Sequence, residues 1–476
     1  MKKKEFTFAF VIAAVLRVYQ LGAAGYWYDE GFTVTLSRMP FMQMIDATAG
    51  DVHPPFFYLL SWLTARISTS EWVMRFPSVI FSLLAVYLTW KLVKVFDLTR
   101  WAQIAVVSWV VIAPIQMHYA QEVRMYALLQ LEVLLLIFLL FKRKWIWFSV
   151  VALLTLYTHN YALFYLPTLA VIALVKNNRD WKGPFTYPIA FLVPGVLWLP
   201  WFLVLLNQMN TIGSTGYWLQ SPTVASVFFT FYQLLFAYSM PLTFQGIAVI
   251  VMVCLLLITG YKFIQSPPEN WDYLVILVLM PMALSLAGSL VWESVFLFRG
   301  FIGCSIPLVI LMVMGIDQIE TKYKRIYLYA VIASVLIAGT TGHYLYNVSN
   351  KGDTVDWISR ITDQWQEGDA ILSLNDNGVI AVNTYAHGYP YFKVPSCGQD
   401  ALGSLSPHTR QAIGAVEKDI AEIDADRIWY ISTIAPVSPL CEEQETKRII
   451  EDYDAVLVEK LADSEYREAG VYLIDG

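Results

Sequence analysis

Apolar runs of roughly membrane-spanning length alternate with short polar segments along the first 345 residues. These runs cover residues 6–24, 74–96, 102–120, 124–141, 145–160, 162–176, 186–206, 243–263, 273–291, 300–316 and 326–344. A helix needs about 20 predominantly apolar residues to cross a bilayer, and the shorter runs approach this length. The pattern therefore predicts an α-helical polytopic membrane protein with about eleven transmembrane helices.

The polar segments between the runs alternate in charge. With the lysines that follow Met1 placed inside, nearly all of the predicted inner segments carry Lys or Arg, as the positive-inside rule requires. These inner segments are 91–100, 142–144, 176–182, 261–272 and 317–325. The outer segments, with carboxylates, histidines and isolated arginines, are 28–73, 118–124, 157–161, 207–242 and 292–299. An odd number of spans predicts a multi-pass protein of the cell membrane whose C terminus is extracytoplasmic.

The first outer segment is long enough to hold structure of its own. Residues 33–46 and 56–67 are predicted to form amphipathic helices at the interface, because both are short and flanked by polar residues. If residues 56–67 crossed the membrane instead, every later loop would be inverted. The N-terminal run, followed by Ala23–Gly25, also has features of a signal peptide. The many later spans favour an uncleaved first span.

The pattern changes at about residue 345. Short apolar segments within 368–396 and 426–438 predict strands followed by turns, residues 406–425 predict a helix, and residues 466–476 predict a closing strand. The chain is thus predicted to consist of a transmembrane domain over 1–345, with a first outer loop at 25–73, and a small extracytoplasmic α/β domain over 346–476.

Composition supports a membrane protein. Hydrophobic residues make up 57% of the chain and charged residues only 15%, with a mean hydropathy of +0.53, whereas soluble domains carry about 25% charged residues. A net charge of −6 without a large basic run argues against a nucleic-acid partner. Cys254 and Cys304 lie in apolar runs and are predicted to be small core residues. Cys397 and Cys441 would form a disulfide if their domain is outside the cell.

Five groups of polar residues fall on the predicted outer segments. They are Asp29 with Glu30; Asp51 with His53 before Pro54-Pro55; Glu122, Arg124 and Tyr126 with His118 and Gln121; His159 with Asn160; and Arg299. Each group has an ordinary structural interpretation. On this interpretation, Asp29 and Glu30 lie in a solvated loop, and Asp51 lies at the start of a helix. Glu122 forms an ion pair with Arg124, His159 is a structural histidine, and Arg299 reaches the lipid headgroups.

A shared location favours function over these separate interpretations. Ionisable residues at a membrane boundary are costly to keep, and all five groups lie on one face under a topology assigned without them. Carboxylates, aromatic residues and an arginine whose planar fork matches phosphate oxygens indicate a substrate with a phosphate head and a hydrocarbon tail.

Six stretches resemble membrane glycosyltransferases of the GT-C class. They are YWYDEGFTVTLSR, DVHPPFFYLLSWL, EWVMRFPSVIFSLLAVYL, APIQMHYAQEVRMYALL, LYTHNYALFYL and FLFRGFIGCSIPLVILM. More narrowly, they are similar to the family 39 and 83 type, which includes protein O-mannosyltransferases and lipid A aminoarabinose transferase. The resemblance covers residues 1 to about 345 in order and spacing. The C-terminal domain more weakly resembles the small extracytoplasmic domains of bacterial members.

The resemblance implies a polyprenyl-phosphate sugar as donor, transfer with inversion on the outer face, and a protein, lipid or glycan acceptor. It implies neither a cofactor nor a metal. Asp29 and Glu30 match the acidic pair of the family, which makes Asp29 the implied general base. Arg124 and Arg299 match positions that engage the donor or its phosphate. The implied substrate-binding set is Asp51, His53, Glu122, Arg124, Tyr126, His159 and Arg299. The aminoarabinose transferases carry a lysine before the proline of this group, whereas this chain has His53 there.

Two other classes compete with this interpretation. A non-enzymatic flippase for a lipid-linked sugar would need charged groups along a path through the membrane. Here the charges cluster at one face, which favours an enzyme. A polymerase or ligase of surface glycans would share the chemistry but normally needs larger outer loops. Consumption of the donor distinguishes a transferase from a flippase.

Overall fold

The computed structural model describes residues 1–176, 187–215, 219–236, 242–350, 354–395, 405–433, 439–460 and 469–475. The chain divides into two compact units. The first comprises Met1–Leu21, Arg75–Leu203 and Leu219–Asn347, and the second comprises Gly22–Met74, Val204–Trp218 and Val348–Gly476. The predicted domain boundary near residue 345 stays a prediction.

Helices dominate the first 350 residues. In chain order they are α1 Lys3–Val18, α2 Tyr28–Arg38, α3 Phe41–Gly50, α4 Phe56–Ala65, α5 Glu71–Val95, α6 Arg100–Ile112, α7 Pro114–Ala120, α8 Tyr126–Phe141, α9 Trp145–Thr158, α10 Ala162–Lys176, α11 Tyr187–Thr215, α12 Val224–Leu235, α13 Leu242–Gln265, α14 Trp271–Val291, α15 Ile302–Asp317 and α16 Lys322–Asn350. A short 3-10 helix, Phe298–Phe301, precedes α15. Each of the eleven predicted apolar runs corresponds to helix, so the predicted fold class is confirmed.

Six helices of the described residues are long and apolar enough to cross a membrane by length and composition. They contain Glu71–Val95, Tyr187–Asn210, Phe244–Gln265, Trp271–Val291, Phe298–Asp317 and Lys322–Leu345. The run predicted at 102–120 is a bent pair, α6 and α7, with a 49° angle at the break, and would be a seventh span. Pro114 begins α7, and proline lacks the N–H that a continuous helix requires. Several remaining runs form shorter apolar helices, among them α8, α9 and α10.

One expectation about the helices of the outer segments is corrected. The single helix predicted at 33–46 is two helices, α2 and α3, because Pro40 follows Met39 and keeps it extended at φ −67° and ψ 159°. The predicted helix at 56–67 is present as α4, and its position at the membrane interface stays a prediction. The segment 207–242 contains α12, whose apolar run was too short to suggest a span.

The C-terminal part is an α/β domain, as predicted. Its elements are α17 Thr354–Asp363, β1 Asp369–Ser373, α18 Asp376–Tyr385, β2 Tyr391–Lys393, α19 Pro407–Ile413, β3 Arg427–Ser432, α20 Pro439–Asp452, β4 Val456–Lys460 and β5 Gly470–Asp475. The sheet has the order β2-β1-β3-β5-β4. Strands β2, β1 and β3 are parallel, while β5 pairs with β3 and β4 in the antiparallel direction.

Alternate residues of the central strands enter two separate hydrophobic cores. On β1 and β3, Leu372 and Tyr430 pack on one face, and Ile371 and Trp429 on the other, as the two-residue period of a strand dictates. Because helices cover both faces, the strands lack the alternation of a half-exposed sheet.

Two predicted elements of the C-terminal domain are corrected, each because of a residue at a helix end. Asn375 caps a helix, α18, through its side chain, where strand and turn were expected. The helix predicted at 406–425 ends at Ile413, because Gly414 adopts φ +76° and stops it.

The cysteines follow the sequence expectation in part. Cys441 is disulfide-bonded, and its predicted partner Cys397 lies outside the described residues. Cys304 is buried as expected, but Cys254 on α13 is exposed, so its predicted core position is wrong. In a membrane helix the outward face is also apolar, so an apolar run alone does not identify the buried side.

Candidate active site

The acidic pair occupies the first turn of helix α2. The helix begins at Tyr28, so Asp29 and Glu30 lie where the positive end of the helix dipole stabilises carboxylates. Glu30 is fully buried and Asp29 is partly exposed. The two adjacent carboxylates therefore have different surroundings, and Asp29 is the more accessible of the two to solvent.

Asp51 is the centre of a small hydrogen-bonded group in the same unit. It follows the last residue of α3, and its Oδ2 atom lies 3.2 Å from Nδ1 of His53 and accepts a 3.2 Å hydrogen bond from the hydroxyl of Tyr58. Asp51 does not start the next helix, because the residue that precedes α4 is Pro55. The structure thus pairs Asp51 with His53 in a side-chain network, and Asp51 is not a helix cap.

Tyr28 lies near four charged side chains, two of which, Asp376 and Arg410, the sequence grouping missed. Burial raises the pKa of the Tyr28 hydroxyl, and the carboxylates of Asp376, Asp29 and Asp51 raise it further, while Arg410 lowers it. Arg410 Nε lies 3.5 Å from Asp376 Oδ2. Asp376 is the first residue of α18 and lies shortly after the end of the parallel strand β1, and the carboxyl ends of such strands are common positions for functional residues. That position was the signal that could have identified it.

Glu122 is the partner of a histidine in the first unit. His118, in the last turn of α7, places Nε2 3.3 Å from Glu122 Oε1, and the Glu122 side chain is almost fully buried. The Ser78 hydroxyl donates to the main-chain oxygen of Glu122 at 2.6 Å. Glu122 and Arg124 both lie in the turn between α7 and α8, so this fixed turn also carries Arg124.

Three predicted residues from distant segments meet at one aromatic ring. Tyr126 begins α8, and the guanidinium carbon of Arg299 lies 5.6 Å from its ring centroid. The ring of His159, in the turn between α9 and α10, is 5.8 Å from the same ring. A cation over an aromatic face is attracted by the ring quadrupole. The first unit therefore brings Tyr126, His159 and Arg299 together.

The segment that carries Arg299 is held by two tyrosines. The Tyr161 hydroxyl donates to Val295 O at 2.7 Å and accepts from the Leu297 N–H at 2.6 Å. The Tyr165 hydroxyl donates to Gly300 O at 2.9 Å. These bonds fix the main chain on both sides of Arg299.

If the segment that carries Arg299 binds the phosphate of the donor, as the resemblance implies, a methyl group at position 300 should disturb that binding while leaving the Arg299 side chain in place. In Gly300→Ala, the new Cβ would overlap the ring of Tyr161, so the ring or the segment must shift. Overpacking of this kind costs about 1–3 kcal/mol, and we expect roughly tenfold weaker binding of polyprenyl phosphate. The matched control is Gly195→Ala, because Gly195 has no atom within 4 Å of the added Cβ. Equal affinity in the two variants would contradict this role for the segment.

A second network, absent from the sequence prediction, supports the turn that carries Glu122 and Arg124. Arg17 is fully buried and donates to the carbonyl oxygens of Val110 and Val111, next to the break between α6 and α7, at 3.2 and 3.3 Å. Gln121 donates to the carbonyl oxygen of Tyr19 at 2.7 Å and accepts from Nε2 of His343 at 3.1 Å. The arginine inside an apolar run was the available signal, because such residues need internal partners.

Comparisons with known proteins agree with the fold. The structure of ArnT from Cupriavidus metallidurans in the apo state has a TM-score of 0.63 at 12% identity, and the match covers 98% of this chain and 97% of that chain. The same protein bound to undecaprenyl phosphate gives a TM-score of 0.63 at 12% identity, with 99% and 98% covered. The chain therefore has the GT-C fold.

The sequence comparison is narrower. Residues 52–206 match the model of the family described as dolichyl-phosphate-mannose-protein mannosyltransferase. No curated protein matches. Together with the fold, the family match confirms the predicted class, a membrane glycosyltransferase of the GT-C type.

Proposed function

We propose that this protein transfers a sugar from a polyprenyl-phosphate donor to an acceptor on the extracytoplasmic face of the cell membrane, with inversion at the anomeric carbon. The observation that carries the donor assignment is the meeting of Arg299, Tyr126 and His159. A guanidinium, an aromatic ring and an imidazole suit a phosphate attached to an apolar chain. The undecaprenyl phosphate bound to the structural neighbour gives independent support for this class of donor.

On this proposal, Arg299 and Arg124 bind the phosphate of the donor. As the bond between the anomeric carbon and the phosphate oxygen breaks, negative charge grows on the leaving phosphate. Fixed cationic donors stabilise that charge more than they stabilise the bound donor, which lowers the barrier. Tyr126 orients Arg299, and His159 and Glu122 complete the donor side of the substrate-binding set.

Asp29 acts on the acceptor. Asp29 accepts the proton of the acceptor hydroxyl or amine. At the same time the oxygen or nitrogen of that group attacks the anomeric carbon from the side opposite the phosphate, which accounts for inversion. Glu30 is buried and belongs to the turn that orients Asp29. Asp51, held by His53 and Tyr58, is the further substrate-binding carboxylate.

The proposal is tested by separating transfer from translocation. Purified protein in vesicles receives a labelled polyprenyl-phosphate sugar together with an extract of cell-envelope acceptors. We expect release of polyprenyl phosphate and movement of label to the acceptor fraction. Movement of intact donor between leaflets without its consumption would contradict a transferase and would favour a flippase.

Topology gives a second, separate prediction. Because the loops alternate in charge, a reporter that is active only in the cytoplasm should be silent when fused after Gly476. The matched control places the same reporter within 317–325, a predicted inner segment, where it should be active. Activity at the C terminus would overturn the proposed extracytoplasmic location of residues 346–476 and of the acidic pair.

A further inference from the structure

Helix α18 of the C-terminal part packs directly on helix α2, and both belong to the second unit. We propose that α18 positions the first turn of α2, so that Arg38, Gly31 and Thr384 are positioning residues for sugar transfer. The inference rests on the proposed function, in which Asp29 is the base. It gives the C-terminal domain a part in the reaction that none of the sequence motifs indicated.

Arg38 connects the end of α2 to the end of α18. One guanidinium nitrogen, Nη1, donates to the carbonyl oxygens of Asn383 and Thr384, both at 2.7 Å. The other, Nη2, donates to the Thr69 hydroxyl at 3.1 Å. The last carbonyl groups of a helix have no partner within the helix, and they carry the negative end of its dipole. Arg38 therefore donates hydrogen bonds to the carbonyl groups at the C-terminal end of α18, and its positive charge is favourable at the negative end of the helix dipole.

Gly31 lets the two helices approach closely, one residue after the acidic pair. A Cβ at this position would lie 2.9 Å from Cγ2 of Ile380 and 3.0 Å from the hydroxyl oxygen of Thr384. The main chain that follows Glu30 is thus in contact with α18. A shift of α18 at this point must move the turn that carries Asp29.

Tyr385, the last residue of α18, holds the chain just before α2. Its hydroxyl accepts a 2.6 Å hydrogen bond from the N–H of Tyr26 and donates to Glu71 at 2.9 Å. The rings of Tyr26 and Tyr385 are stacked, with centroids 5.9 Å apart. Together with Arg38, this contact fixes α2 at both ends, and the acidic pair lies between the two fixed points.

The consequence for the reaction is geometric. A general base must lie within hydrogen-bond reach of the proton that it removes. Misplacing a reacting group by about 1 Å can cost about 10²-fold in rate. A domain that fixes the main chain next to Asp29 therefore influences turnover while leaving the donor phosphate site unchanged.

The first test changes the size of the side chains at the contact between α2 and α18. Gly31→Ala should lower kcat by about 10- to 100-fold with little change in the KM for the donor. Because the shorter of the two close contacts is with a methyl group of Ile380, the double variant Gly31→Ala/Ile380→Ala should recover part of the activity, while the contact with Thr384 remains. Gly246→Ala is the matched control, since Gly246 is also helical but has no atom within 4 Å of the added Cβ. Recovery in the double variant separates contact with α18 from a general effect of alanine.

A second set of variants applies if Gly31→Ala does not fold. Arg38→Lys keeps one charged donor and should retain more kcat than Arg38→Gln, again with donor KM unchanged. Hydrogen exchange of the α2 amides should rise in the order wild type, Arg38→Lys, Arg38→Gln. Full kcat in folded Gly31→Ala or Arg38→Gln, or a change confined to donor KM, would overturn the inference while leaving the proposed function intact. Absence of donor consumption by the wild type would instead overturn the proposed function, and hydrogen exchange would still show whether α18 holds α2.

Discussion

The Asp29→Asn variant should bind the donor normally and turn over about 10²- to 10⁴-fold more slowly than the wild type. Asparagine keeps the shape of the side chain but cannot accept the proton of the acceptor. Asp29 is partly exposed in the first turn of α2, so the substitution should leave the fold intact. The measurement is donor affinity and single-turnover rate on the same preparation.

Two matched variants distinguish Asp29 from its neighbours. Glu30→Gln should cost less in turnover if Glu30 only orients the turn, although its full burial makes thermal unfolding a necessary control. Asp51→Asn removes the negative charge and replaces one carboxylate oxygen by an NH2 donor beside His53 and Tyr58, and should affect substrate binding. Near-normal turnover in Asp29→Asn would remove Asp29 from the mechanism and make Asp51 the leading base.

The Arg299→Ala variant should lose affinity for polyprenyl phosphate by on the order of 10²-fold, because truncating one partner of a close charged pair costs about 2–5 kcal/mol or more. Arg299→Lys keeps the charge but not the planar fork, so it should retain only part of the affinity. The probe is polyprenyl phosphate without its sugar, which isolates the phosphate contact from the chemistry.

The matched control for Arg299 is Arg360→Ala. Arg360 is an exposed arginine of the C-terminal domain that pairs with Glu459, and its loss should leave phosphate binding unchanged. If Arg299→Ala bound polyprenyl phosphate as well as this control, Arg299 would have no phosphate role. The remaining explanation would then be contact of its guanidinium with lipid headgroups.

Periodicity predicted the helical scaffold well because the bilayer imposes a simple length rule on apolar runs. The breaks followed from proline, which interrupts the predicted helix at Pro40 and the predicted span at Pro114. Helix α12 was missed because its short apolar run resembles a loop segment when only length is considered. Strand order in the C-terminal sheet was not predictable, since pairing such as that of β3 with β5 depends on long-range contacts.

The candidate site was predictable to the extent that its residues stand next to membrane boundaries. Tyr126, His159 and Arg299 were assigned to three separate groups on one predicted outer face, and in the first unit their side chains lie together. Asp376 could have been identified from its position after strand β1, but Arg410 was missed because its relation to Tyr28 joins segments far apart in the chain. Arg38 was missed for the same reason, as its partners Asn383 and Thr384 are more than 340 residues away. Tertiary packing created these relations, and no local pattern reports them.

The central claim is transfer of a sugar from a polyprenyl-phosphate donor. Its most direct test is the stoichiometry and stereochemistry of a single turnover by the purified protein, with Asp29→Asn in parallel. The account predicts one polyprenyl phosphate released for each sugar transferred, an inverted anomeric configuration in the product, and a strongly reduced rate in the variant. Retention of configuration, or sugar transfer without release of polyprenyl phosphate, would contradict it.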